Sequence, residues 1–256
     1  MFSRNWISAK MPNPRQISWI SFISLLSIIG LNSPAYADDG WMFSPYLRVD
    51  LGYSTTIDDD VRFLDPSEYD TLDMDRDSGE RYQIGVGAKL NDFIRADITV
   101  SYRDKMTEVG TYLDADGIPN KAINEIDDGA FQTSNWSTML NIYVDPFRAA
   151  GLDTGAFSPY LQGGIGWARN KTEDMKFTNA GTLFGDTHND FAWQIGAGVL
   201  YDITEHLKLD LSYRYLDMGE ARASNSYTAG GPTFNVGDID FDLKAHEVLL
   251  GLQYQY

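Results

Sequence analysis

Apolar and polar side chains alternate one by one through most of this chain, and a period of two is the signature of β-strands. From Phe43 to Ser54, Pro45, Leu47, Val49, Leu51 and Tyr53 alternate with Tyr46, Arg48, Asp50 and Gly52. Tyr82–Leu90, Phe93–Arg103 and Asn135–Val144 repeat the pattern. The second half then echoes the first. Phe43-Ser44-Pro45-Tyr46-Leu47 returns as Phe157-Ser158-Pro159-Tyr160-Leu161, and Tyr82-Gln83-Ile84-Gly85 as Trp193-Gln194-Ile195-Gly196. Ser101-Tyr102-Arg103 returns as Ser212-Tyr213-Arg214. Four strands therefore occur twice, which gives eight.

The apolar face of these strands, from Phe43 to Tyr256, carries no Asp, Glu, Lys or Arg, although 22% of the chain is charged. The opposite face holds the charges. A soluble sandwich buries the first face, whereas a bilayer barrel turns it to lipid. Three features select the barrel. Connections alternate between long (55–79, 104–130, 170–190, 217–242) and short or intermediate (91–92, 145–157, 202–205). Aromatics gather where the apolar face meets the long loops: Tyr53, Tyr82, Tyr102, Trp136, Trp167, Trp193, Tyr213 and Tyr215. They form an interfacial girdle. The chain also stops on its last strand, at Tyr254-Gln255-Tyr256. The expected fold is all-β, an eight-stranded antiparallel up-and-down transmembrane β-barrel.

Residues 1–37 have the pattern of a cleavable signal peptide. Arg4, Lys10 and Arg15 precede the apolar run Ile17–Leu31, which ends at Ala35-Tyr36-Ala37. Met11 offers a second start that shortens the n-region. Residues 38–256 are then the outer-membrane barrel with four long extracellular loops. Removing the leader takes away three basic residues and no acid, leaving 17 basic against 37 acidic residues, a net charge of −20. That excess argues against nucleic acid or anionic lipid as a partner, because both would be repelled. The chain has no cysteine, so disulfides and thiolate sites are excluded.

Within such a barrel the polar face lines the lumen, placing Arg48, Asp50, Arg95, Asp97, Arg103, Lys208, Asp210, Arg214 and Glu247 inside as a charge network. Eight strands leave a bore just wide enough for side chains to fill, so these charges must pair. Counted from the periplasmic end, Arg214 and Glu247 share the fifth inward position on neighbouring strands, and Arg48 and Asp210 share the third. Gly85, Gly87, Gly196 and Gly198 also face inward and make room for long side chains. In the acidic loop from Asp58 to Glu80, the stretch Asp73-Met74-Asp75-Arg76-Asp77-Ser78-Gly79-Glu80 resembles a calcium loop only faintly, because Ser78 and Ile84 stand where glycine and glutamate are needed. A solvated acidic loop is the simpler reading.

Leu47-Arg48-Val49-Asp50-Leu51-Gly52-Tyr53, Leu211-Ser212-Tyr213-Arg214-Tyr215 and His246-Glu247-Val248-Leu249-Leu250-Gly251-Leu252-Gln253-Tyr254 are specific enough to suggest a family. They resemble the opacity-type porins and small alphaproteobacterial surface antigens, relatives of the outer membrane protein A barrel. The resemblance covers roughly residues 43–256 and implies a Gram-negative outer-membrane location, surface exposure and no cofactor. It also implies a C-terminal assembly signal at Tyr254 and Tyr256, with Tyr256 replacing the family's usual Phe. Expected partners are outer-membrane lipid and lipopolysaccharide, the barrel-assembly machinery, and a host or environmental ligand at the loops.

Barrel enzymes are the rival class. A serine hydrolase needs a histidine beside its nucleophile, but His188, His206 and His246 lie in no His-x-Ser sequence. His246 and Glu247 occupy opposite faces, and His188 with Asp190 is a poor protease pair. No enzymatic activity is expected. Two readings stay open: a structural and interaction protein with a salt-bridged, plugged lumen, and a small channel for ions or solutes.

Overall fold

The computed structural model describes residues 35–36, 42–57, 71–76, 79–113, 130–177, 181–228, 233–235 and 239–256. The leader, apart from Ala35 and Tyr36, and most of the first acidic loop lie outside the described residues. Eight long strands make the barrel: β1 (Met42–Thr56), β2 (Gly79–Lys89), β3 (Ile94–Leu113), β4 (Ala130–Val144), β5 (Phe157–Thr172), β6 (Thr187–Asp202), β7 (Leu207–Thr228) and β8 (Ile239–Gln255). Each pairs antiparallel with the next. β8 closes the ring on β1, from Ala245 opposite Thr56 to Gln255 opposite Tyr46. Closure leaves no strand edge facing hydrocarbon.

Side-chain acceptors explain why the chain reverses so tightly at one end. Between β2 and β3, Asn91 Oδ1 accepts the N–H groups of Phe93 (2.9 Å) and Ile94 (2.7 Å). Between β6 and β7, Thr204 Oγ1 accepts those of His206 (3.3 Å) and Leu207 (3.0 Å). Between β4 and β5 sits a single helical turn, α1 (Pro146–Ala149), with Pro at its start and Asp145 as its N-cap. These are the turns by which Asn, Thr and Asp side chains replace missing backbone partners.

At the opposite end the structure corrects the sequence reading. Much of what composition marks as loop is strand: β3 runs to Leu113, β7 to Thr228, and short strands occupy Thr71–Arg76, Met175–Phe177, Gly181–Gly185 and Thr233–Asn235. Above a bilayer no lipid imposes an apolar outward face, so the alternation fades there, although the inner face still buries Met218, Ala221 and Leu243. A bulge in β7 between Asp217 and Glu220 bends this extension. Gly219 adopts φ +69° there, and a Cβ would come within 2.6 Å of Asp190 Cβ. Asp190 Oδ2 accepts the Glu220 N–H at 2.9 Å.

The distribution of polarity is inverted relative to a soluble protein. Val49, Leu51, Ile98, Leu140, Ile165, Ile195, Leu211 and Leu250 are exposed, whereas Arg48, Asp97, Arg103, Arg214 and Glu247 are buried. Inward glycines admit the larger groups. A Cβ at Gly87 would lie 2.6 Å from Tyr46 Cζ, and one at Gly198 would lie 2.5 Å from Tyr160 Cζ.

Candidate functional site in the barrel lumen

Two clusters of buried charge stack along the bore. The inner one, nearer the short turns, centres on Arg48 of β1. Its guanidinium meets Asp50 (2.8 Å), Asp97 of β3 (3.3 Å) and Asp210 of β7 (3.1 Å). The remaining carboxylate oxygens are also satisfied, as burial of charge demands. Asp97 accepts from the hydroxyls of Tyr46 and Tyr143 (3.1 Å each) and from Asn141 Nδ2 (2.7 Å). Asp210 accepts from the Tyr160 hydroxyl at 2.6 Å. Arg95 lies between Tyr143 and Tyr160, its guanidinium carbon 4.3 Å from each ring centre, and donates to Gln253 Oε1 at 2.7 Å.

The outer cluster inverts the sign. Glu247 of β8 receives Arg81 of β2 (2.5 Å), Arg103 of β3 (2.7 Å) and Arg214 of β7 (2.7 Å). Arg103 donates further to Asn135 Oδ1 (2.6 Å) and Ser137 Oγ (2.9 Å). The Gln83 amide joins the tiers with its dipole aligned to both. Its nitrogen donates to Asp50, and its oxygen accepts from Arg81 (2.7 Å) and Arg214 (3.1 Å). The inner tier therefore carries three carboxylates against two guanidinium groups, and the outer tier three guanidinium groups against one carboxylate. Each tier's surplus is opposite in sign to the other's, so the two attract.

Arg214 stands directly opposite Glu247 in the β7–β8 register, and Arg48 reaches Asp210 across the intervening β8. Lys208 is not gathered in. Its ammonium pairs with Asp202 at the short-turn mouth, where a long flexible side chain can reach solvent. Beside it a cavity of about 80 Å³ opens, lined by Lys89, Arg95, Tyr143, Tyr160 and Gln253 among others. Arg81 is the member that sequence reasoning missed. It sits beside an acid at the edge of a charged stretch, and its only signal is its position two residues before inward-facing Gln83.

The girdle aromatics all lie on the outward face. Tyr102 meets Trp136 at 4.8 Å between ring centres, and Trp193 meets Tyr215 at 5.5 Å. Tyr254 and Tyr256 pack edge to face at 5.1 Å, and the Tyr256 N–H donates to the Pro45 carbonyl. His246 stacks on outward Tyr213, with its Nδ1 2.6 Å from the hydroxyl, while Glu247 is inside. His206 Nδ1 lies 3.0 Å from the Gln255 carbonyl oxygen.

An apolar belt outside, paired charge inside and a sealed ring of strands describe a bilayer-spanning barrel. The family model for the outer membrane protein beta-barrel domain matches residues 23–255. The chain belongs to that family. A Brucella suis protein is 30% identical over 88% of this chain and 87% of its own length. A Rickettsia conorii protein, provisionally named an adhesin, is 26% identical over 67% of the chain and 66% of itself. Among solved structures, the outer membrane protein OprG of Pseudomonas aeruginosa superposes with a TM-score of 0.53. It is 15% identical, covering 84% of this chain and 96% of OprG, a likeness of fold. The barrel resides in the Gram-negative outer membrane. Neither the family description nor these names carries an enzymatic activity.

Proposed function

We propose that the barrel is a surface-interaction protein, in which a lumen plugged by salt bridges anchors an extracellular platform. The observation that carries this reading is the pair of charge tiers, whose side chains meet across the bore rather than lining its wall. An open pore would leave such charges solvated and separated. The extracellular side supports the same reading. β3 and β7 have 20 and 22 residues, whereas about 9–11 suffice to cross a bilayer. Roughly ten residues, some 30 Å of paired strand, thus rise beyond the membrane as a stiff mount for loops. A relative that carries an adhesin name favours contact with another surface, though a fold alone does not choose the ligand.

Two measurements test this function together. Protein extracted from outer membranes and placed in planar bilayers should give no sustained single-channel steps. Bacteria displaying it should adhere to host or environmental surfaces, and trimming the loops carried by β3–β4 and β7–β8 should abolish adhesion. Steady conductance without loop-dependent adhesion would replace this reading with the small-channel alternative.

A further inference from the structure

On several strands the outward residue two positions beyond the girdle aromatic is charged, which puts charge at headgroup level. Nearly all these charges are accounted for within the chain. Glu80 accepts from the Tyr82 hydroxyl, and Asp104 from that of Tyr102 at 3.2 Å. Asp217 accepts the Gly219 N–H at 2.9 Å. Lys244, two positions beyond His246, pairs with Asp242 at 2.6 Å, and Lys171, further out on β5, lies 3.6 Å from Glu173. Arg169 of β5, two positions beyond Trp167, differs. Its side chain is exposed and has no hydrogen bond or ion pair among the described residues.

Its surroundings are aromatic. Arg169 stands opposite Trp136 in β4 and Asn189 in β6, and Trp167 stands opposite Phe191. Trp167 is 72% exposed, Trp136 53% and Phe191 54%, an apolar rim fitted to the boundary between acyl chains and headgroups. In a protein whose net charge is −17, a guanidinium unpaired among the described residues at that depth is a specific feature. A planar guanidinium takes phosphate with two parallel hydrogen bonds, and the phosphate groups available at this level belong to the glycolipid of the outer leaflet.

We propose that Arg169, flanked by Trp136, Trp167 and Phe191, binds a phosphate of that glycolipid, lipid A. The site is independent of the adhesion reading, because it faces the membrane and not the loops.

Retention of lipid A by protein extracted from outer membranes tests the site, read by native mass spectrometry and by titration with bisphosphorylated lipid A in detergent. Wild type should hold one lipid A, and Arg169→Gln should bind about tenfold more weakly, a change of ~1.4 kcal/mol. Arg169→Lys should fall between them, and Lys244→Gln should match wild type. Unfolding midpoints in lipid-A-free phosphatidylcholine vesicles should be the same for all four proteins, which separates binding from folding. Equal retention by Arg169→Gln would overturn the proposal. So would equal binding of dephosphorylated lipid A, or equally tight binding of phosphatidylglycerol vesicles, which would reduce the site to a general anionic contact.

Discussion

Glu247 is the one carboxylate among three arginines, so its removal is the most informative single change in the lumen. Glu247→Gln leaves Arg81, Arg103 and Arg214 buried and facing one another. Breaking a buried pair from one side typically costs on the order of 3–5 kcal/mol, and urea unfolding in vesicles should register a loss of that size. Adding Arg214→Leu should recover only part of it, because two guanidinium groups remain. A double-mutant cycle that returned plain additivity would separate Arg214 from the cluster. On the outer face the sign of polarity reverses. Leu211, exposed between Val199 and Leu250, faces mid-bilayer, so Leu211→Arg should cost about 2–4 kcal/mol. The same change at Ile203, in the β6–β7 turn, should cost about 0–1 kcal/mol. Similar losses at both sites in the same unfolding assay would place the lipid boundary elsewhere. Thr99 faces the lumen, is fully buried and accepts from Asn141, so Thr99→Gln would overpack the bore.

Strands differ in how much of them is visible beforehand. Within the membrane, one face must be apolar and the other polar, and the alternation from Ile94 to Arg103 or from Leu207 to Tyr215 states the register openly. The pairing of Arg214 with Glu247 follows from counting along two such strands. Beyond Arg103 or Asp217 no lipid enforces the pattern, so the outer ladders read as loop. Arg81 was lost at that same boundary. In the β7 extension the bulge is clamped by Asp190, and Met218, Ala221 and Leu243 are buried beside it. Gly219→Ala should strain a positive-φ position and crowd Asp190, at a cost of roughly 1–3 kcal/mol. Hydrogen exchange should then quicken at Glu220 and along the upper part of β7, while amides of the lower barrel keep their protection. Uniform quickening over the whole of β7 would show instead that the strand opens as one unit.

For the molecule as a whole, closure joins the most distant parts of the chain. Gln255 Nε2 donates to Ser44 Oγ at 2.7 Å across 211 positions of sequence, and β8 meets β1 along its whole lower length. Ordering so long a loop is entropically unfavourable until the contacts at its ends have formed. Before that moment β1 and β8 are two bare edges whose N–H and C=O groups have no partners, and in hydrocarbon each such group costs several kcal/mol. A half-made barrel is thus a poor solute in lipid and an adhesive one in water. Assembly of this chain is therefore expected to carry the open sheet to the bilayer and shut it there, with entry into the membrane and joining of the first strand to the last occurring as a single event.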